Sequence, residues 1–208
     1  MKRFIFNKNS VYNIKYFLYQ YNDDNIRIVC QKYSRNKGFE DVQKNFISSD
    51  KEEVERISLS RSRRNIRELA LSNNFEYFCT LTISSSSCDR FSLTECQNRL
   101  RRKLKTLKQY NKNFGYIFIT EKHKNGAYHF HGLVKGIDNF YTNEYGYLSN
   151  KTFDQLGFNS FSKIKDYNKC CNYITKYITK DCVKNEARYC LHIFQRSKKS
   201  HSYSNRRH

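Results

Sequence analysis

Two histidines stand two residues apart, His129 and His131, in the run Tyr128-His129-Phe130-His131-Gly132-Leu133-Val134, which is rich in strand formers. Side chains alternate between faces along a strand, so both imidazoles fall on one face, where two nitrogens can ligate one divalent ion. Upstream, Tyr116-Ile117-Phe118-Ile119-Thr120-Glu121 has the same character, and Lys124-Asn125-Gly126 between the two runs carries the Asn-Gly signal of a β-hairpin. Antiparallel pairing can bring the Glu121 carboxylate beside His129 or His131. His123, nearer the turn, is the alternative third donor. Two imidazoles and a carboxylate leave positions open for water and for phosphate oxygens, which suits Mg²⁺ or Mn²⁺ acting as a Lewis acid. The plainer alternative is a pair of histidines packed on a half-buried strand.

A second cluster follows in Tyr173-Ile174-Thr175-Lys176-Tyr177-Ile178-Thr179-Lys180. On a helix, Tyr173, Lys176, Tyr177 and Lys180 share an arc of about 100°, while Cys171, Ile174 and Ile178 share a neighbouring arc that can dock on a sheet. A phenol needs help to attack a phosphate, since its ordinary pKa is near 10. Nearby ammonium groups favour the phenolate and stabilise charge on the phosphate under attack. The alternative is an amphipathic helix whose tyrosines pack and whose lysines snorkel.

Charge narrows the partners. The chain has 208 residues, with 39 Lys and Arg against 19 Asp and Glu, a formal net charge of +20. Neutralising phosphates releases counterions, so such a chain implies a nucleic-acid partner. The 17 Tyr and 16 Phe can stack on unpaired bases, which favours single strands. Candidate phosphate contacts are the cluster Arg61, Arg63 and Arg64, then Arg101, Arg102 and Lys103, and finally Lys163 and Lys165. Several classes fall away. No apolar run approaches a membrane span, and Phe4-Ile5-Phe6 is too short for a secretory signal. Eight cysteines without a Cys-x-x-Cys read as reduced thiols, placing the protein in a cytoplasm. The absence of a phosphate-binding Gly-x-x-x-x-Gly-Lys-[Ser/Thr] loop predicts no nucleotide cofactor.

The elements that must position these groups are strands mixed with a few helices. Val11 to Tyr21 and Asn25 to Lys32 suggest two strands, and residues 51–72 a helix with Val54, Ile57, Ile66, Leu69 and Leu71 as its apolar set. Tyr77 to Ile83 reads as a strand. Ser92 and Glu95 predict a capping box ahead of a helix whose buried stripe is Leu93, Cys96, Leu100, Leu104 and Leu107. Its other face is cationic. The hairpin comes next, then a polar stretch over 138–160 expected to hold little regular structure. A strand over Ser160–Lys165 and a helix over Asp166–Lys180 complete the pattern, which is α+β with an antiparallel sheet. The expected organisation is an N-terminal extension (1–55), a core domain (56–195) and a mobile basic tail (196–208).

Three segments together resemble the HUH endonucleases, and among them the two-tyrosine rolling-circle replication initiators of small single-stranded DNA phages. Phe78-Cys79-Thr80-Leu81-Thr82 is similar to their first motif, Tyr128 to Leu133 to the second, and Tyr173 to Lys180 to the third. The resemblance spans roughly residues 60–182; the first motif is loose, and the second and third together are the specific part. It implies a ferredoxin-like, RRM-like sheet, with His129 and His131 as metal ligands and Glu121 as the third. It also implies that Tyr173 or Tyr177 attacks a phosphodiester at a single-stranded replication origin. That attack would leave a 5′-phosphotyrosine and a free 3′-hydroxyl, with Lys176 and Lys180 steadying the phosphate. Host helicase and polymerase would be partners in a bacterial cytoplasm. An HUH-type transposase or relaxase would use the same groups, and a non-catalytic single-stranded nucleic-acid-binding protein would use neither metal nor nucleophile.

Overall fold

The computed structural model describes residues 11–35, 51–179, 189–192 and 198–205. In chain order the strands are β1 (Val11–Asn22), β2 (Asn25–Arg35), β3 (Tyr77–Ile83), β4 (Gly115–Lys122), β5 (Tyr128–Lys135), β6 (Phe140–Thr142), β7 (Leu148–Asn150), β8 (Gly157–Lys163), β9 (Tyr189–His192) and β10 (Lys198–Asn205). The helices are α1 (Lys51–Leu71), α2 (Leu93–Tyr110) and α3 (Tyr167–Tyr173), with 3₁₀ turns over Asp154–Leu156 and Ile174–Tyr177. The chain is thus mixed α+β with antiparallel sheets. Among the described residues no helix is long and apolar enough to cross a membrane.

The chain divides into two units, Met1–Ser49 with Ser197–His208, and Asp50–Arg196. The first is a three-stranded antiparallel sheet in the order β10-β1-β2. The two strands expected near the N-terminus are both present, and the segment expected to be a mobile tail supplies β10, paired along β1.

The second unit is built on a five-stranded antiparallel sheet, β8-β3-β5-β4-β9, with the histidine strand β5 at its centre. Its two faces do different work. The face carrying Cys79, Leu81, Phe118, Phe130 and Val134 is covered by Cys96, Leu100 and Leu104 of α2, and this is the hydrophobic core. The stripe of α2 selects that face because apolar positions at steps of three and four form one continuous ridge. Ser92 caps α2 as expected, accepting from the Glu95 amide at 3.4 Å, but the capping box is only half formed. The Glu95 carboxylate accepts from the amide of Asp89 instead.

The other face carries Thr80, Thr82, His129, His131 and Glu121, and the 3₁₀ turn at Ile174–Tyr177 packs on it through β4 and β5. Cys171, Ile174 and Ile178 are buried there, on the arc expected to dock. Helix α1 backs α3 and the turn. The Tyr167 hydroxyl donates to the Ala70 carbonyl at 2.6 Å and accepts from the Phe75 amide at 3.0 Å, tying α3 to the end of α1. Ile66 and Leu71 of α1 are buried, whereas Val54 and Ile57, expected in the same stripe, are exposed.

Two further expectations need correction. The helix expected over 166–180 stops at Tyr173 and tightens into the 3₁₀ turn. Ile174, Thr175, Ile178 and Thr179 are β-branched, and the Thr175 hydroxyl donates to the Asn172 carbonyl, competing with the helical ladder. The stretch 138–160 is not featureless. Strands β6 and β7 pair as a hairpin, and β8 begins at Gly157 rather than at Ser160. Gly157 has φ +134, and an added Cβ would collide with the Thr82 carbonyl oxygen, so only glycine lets β8 start this close to β3.

Candidate active site

The hairpin β4–β5 sets the metal-type donors. Its loop closes with the Gly126 amide donating to the His123 carbonyl and the His123 amide to the Ala127 carbonyl, and Gly126 takes the left-handed φ of +90. This fixes the register that places Glu121 directly opposite His129 and on the diagonal to His131. The diagonal contact is the one made: Glu121 Oε2 lies 2.6 Å from His131 Nε2. His131 is nearly buried, while Glu121 keeps an open side.

The third strand supports both imidazoles. Thr80 and Thr82 of β3 stand opposite His131 and His129, and each threonine Oγ1 lies 3.2 Å from the facing Nδ1. A hydroxyl both donates and accepts. It can give its proton to Nδ1 while Nε2–H donates to Glu121, or accept Nδ1–H and free the Nε2 lone pair. Burial lowers both histidine pKa values, with nearby His123 adding to the effect on His129 and Glu121 opposing it at His131. Both imidazoles therefore favour the neutral form that can ligate a cation. His123 stacks on His129 at 5.0 Å between ring centroids.

The tyrosines arrive from the 3₁₀ turn. Tyr177 lies flat on His131, ring centroids 3.6 Å apart at 14°, and its hydroxyl donates to the Tyr173 hydroxyl at 2.8 Å. Tyr173 is exposed, meets Phe78 edge-on, and has the Lys176 ammonium 4.9 Å above its ring. A groove of about 520 Å³ opens beside it, lined by Phe78, Lys169, Cys170, Asn172, Tyr173 and Lys176. Burial first, then its hydrogen bond to Tyr173, raises the Tyr177 pKa above the ordinary phenol range, and the Tyr173 and Glu121 charges add to this.

The structure therefore brings together Glu121, His131, Tyr173, Tyr177 and Lys176, with His129 next along the same strand face. Lys180 lies outside the described residues. Among the described residues, no three His, Cys, Asp or Glu side chains stand together as a set that could hold an ion. The donors are nevertheless of the right kind: a carboxylate oxygen and a neutral imidazole nitrogen already in contact, with a second imidazole two residues along.

The cationic candidates fare differently. Arg61 and Arg64 are exposed on α1 and line a hollow with Arg56, Ile57 and Ser60. Arg63 instead donates Nε to the Ile178 carbonyl at 3.1 Å, and Arg67 donates to the Asn172 side chain, so these two clamp the tyrosine turn. Arg101 and Arg102 are exposed, and Lys103 donates to Gln155. All three sit on α2, on the far side of the sheet from the histidines, because the α2 stripe docks on the opposite face. Lys163 pairs with Tyr77 of that same far face, and Lys165 is exposed beyond the end of β8. Sequence reasoning assigns no individual role to Thr80, Thr82, Phe78 or Lys169. The alternation Phe78-Thr80-Thr82 is the available signal for the first three.

Residues 76–182 match the family model described as replication-associated protein ORF2. No curated protein and no solved structure shows a significant match.

Proposed function

The chain belongs to the replication-associated protein ORF2 family, and from that premise we propose that it is an HUH-type initiator that nicks and rejoins single-stranded origin DNA through a tyrosine. One observation carries this reading: the Glu121–His131 pair, the flat stack of Tyr177 on His131 and the Tyr177–Tyr173 hydrogen bond form one continuous contact chain. Carboxylate, imidazole and phenols from segments some forty residues apart have no packing need to meet on a half-open surface. The central place of the histidine strand in an antiparallel sheet supports an HUH-type fold.

In this proposal Glu121, His129 and His131 hold Mg²⁺ or Mn²⁺, which supplies Lewis-acid polarisation of the phosphate. The chain's own groups do the rest. One tyrosine Oη loses its proton and forms a bond to phosphorus while the bond from phosphorus to the 3′-oxygen breaks. The 3′-oxygen takes up a proton and leaves as a hydroxyl that can prime synthesis. The 5′-phosphotyrosine keeps the phosphodiester energy, so attack by another 3′-hydroxyl rejoins strands without a nucleotide cofactor. Lys176 steadies charge at the phosphate, and the resemblance assigns Lys180, outside the described residues, the same role. Host helicase and polymerase, in a bacterial cytoplasm, would supply unwinding and synthesis.

A second reading, a non-catalytic single-strand binder, draws on the direct Glu121–His131 bond, in which each group already satisfies the other. The discriminating experiment incubates the protein with Mn²⁺ and single-stranded DNA flanking its own gene, beside the Tyr173→Phe/Tyr177→Phe variant. A detergent-resistant adduct that needs both metal and tyrosine is expected. Salt-sensitive binding with no adduct, there and with a random single-strand pool, would favour the binder.

A further inference from the structure

Beside the histidine face lies an exposed aromatic cluster that nicking chemistry does not use. Tyr145, Tyr147 and Phe158 are 68%, 55% and 42% exposed, and both tyrosines meet the phenylalanine edge-on, at 6.4 and 5.8 Å between centroids. Three large rings left in water yet held against one another call for a ligand with flat apolar faces.

The cluster is built rigidly. Asn143 Oδ1 accepts from the amides of both Tyr145 and Tyr147, and Gly146 takes a φ of +78 between them. The β6–β7 hairpin is then locked to the sheet. The Ser149 hydroxyl donates to the Asn159 carbonyl and the Asn150 amide to Asn159 Oδ1, each at 2.7 Å. Rings held in advance lose little freedom on binding.

Its position points to the ligand. Phe158 pairs with Thr82, Thr82 with His129, and His129 with Glu121, so the four side chains form one cross-strand row on one face. Two strand spacings, about 10 Å, separate Phe158 from His129. The Tyr145 hydroxyl donates to the Glu144 carboxylate, which makes this corner unsuited to phosphate and leaves the rings for uncharged faces.

We propose that Tyr145, Tyr147 and Phe158 form a base-stacking platform that holds unpaired bases of the strand flanking the scissile phosphate. This rests on the reading that single-stranded DNA crosses the histidine face. The occupant is nucleic acid because the row runs directly into the candidate site and the chain carries a net charge of +20. Bases stack on the rings while lysines elsewhere meet the backbone, so the platform is tolerant of sequence.

The test measures binding of oligo-dT, and of an abasic strand of equal length, to the full chain and to Tyr145→Ala/Tyr147→Ala/Phe158→Leu. The variant should bind oligo-dT about ten-fold or more weakly, as expected for lost base stacking. The dependence of affinity on salt should stay unchanged, because no phosphate contact is removed. On the abasic strand the two proteins should bind alike. Equal affinity for oligo-dT, or a deficit that persists on the abasic strand, would overturn the platform. A second measurement avoids the triple variant. The chain has no tryptophan, so Tyr147→Trp installs a lone indole whose fluorescence oligo-dT should quench and the abasic strand should not; no quenching would overturn the proposal. Neither readout requires nicking. A protein that forms the tyrosine adduct without the stacking signature would refute the platform alone, and the reverse would refute strand transfer alone.

Discussion

Tyr173 and Tyr177 are not equivalent, and the difference predicts which attacks first. Tyr177 is stacked on His131, its phenol is held in the protonated form chiefly by burial, and it spends its proton on Tyr173. Tyr173 is exposed, its oxygen receives that hydrogen bond, and its ring lies under the Lys176 ammonium. Under the proposed nicking mechanism, Tyr173 is therefore expected to be the first nucleophile, with Tyr177 as the donor that stabilises the oxygen as charge develops. Tyr173→Phe should abolish the first adduct. Tyr177→Phe removes one donor and should leave the adduct forming more slowly. A hydrogen bond to a charged group contributes about 1.5–3 kcal/mol, and about 1.4 kcal/mol is a factor of ten in rate. The expected slowing is thus roughly ten- to one-hundred-fold. Folding should hardly change, because the lost bond is between neutral, partly exposed phenols and contributes about 0.5–1.5 kcal/mol at most. The assay is single-turnover adduct formation on one single-stranded substrate, with thermal melting as the control for folding. Loss of the first adduct in Tyr177→Phe with retention in Tyr173→Phe would reverse the assignment. A Tyr177→Phe rate equal to the wild type's would show that the 2.8 Å bond carries no catalytic weight.

Thr80→Val and Thr82→Val keep shape but remove the hydroxyls facing His131 and His129. Each should weaken Mn²⁺ binding about 10- to 100-fold, as loss of an imidazole-orienting partner does, and titration calorimetry would measure it. Unchanged affinity would place the metal elsewhere. Stability should fall with acid. Burial lowers both histidine pKa values in the folded chain from 6.5, so the unfolded chain binds more protons below that pH. The stabilisation is complete above about pH 6.5 and is lost progressively as pH drops toward the lowered folded values. Melting curves of the wild type should show this decline, and His129→Gln/His131→Gln should flatten it. Gly132→Ala should destabilise by about 1–3 kcal/mol, because the new Cβ would collide with the Phe118 ring and sit 3.0 Å from the Ile117 carbonyl oxygen. Chemical denaturation would measure the loss.

Much of this is legible in local pattern. Alternation along Tyr128 to Val134 places His129 and His131 on one face, and the Asn-Gly turn puts Glu121 across from them, because strand period and hairpin register are local properties. The stripe of α2 and its Ser92 cap are legible for the same reason. Helical spacing over 166–180 overruns the true end at Tyr173, since spacing alone does not register the competing Thr175 hydroxyl. The hairpin inside 138–160 escapes a local reading because its strands are three residues each and are held by Asn159, a partner outside the pair.

What cannot be read locally is choice of face and company. Arg101, Arg102 and Lys103 form as regular a cationic stripe as any phosphate contact, yet docking of α2 turns them away from the histidines. Arg63 resembles a phosphate ligand until the chain returns 115 residues later and offers the Ile178 carbonyl. Spacing can place Tyr173 and Tyr177 on one side of a turn. Only packing of that turn on β4 and β5 lays one ring on His131 and leaves the other in water beside Lys176. Periodicity follows from bonds between near neighbours, whereas the identity of the neighbour across a sheet depends on every element that must be buried at once.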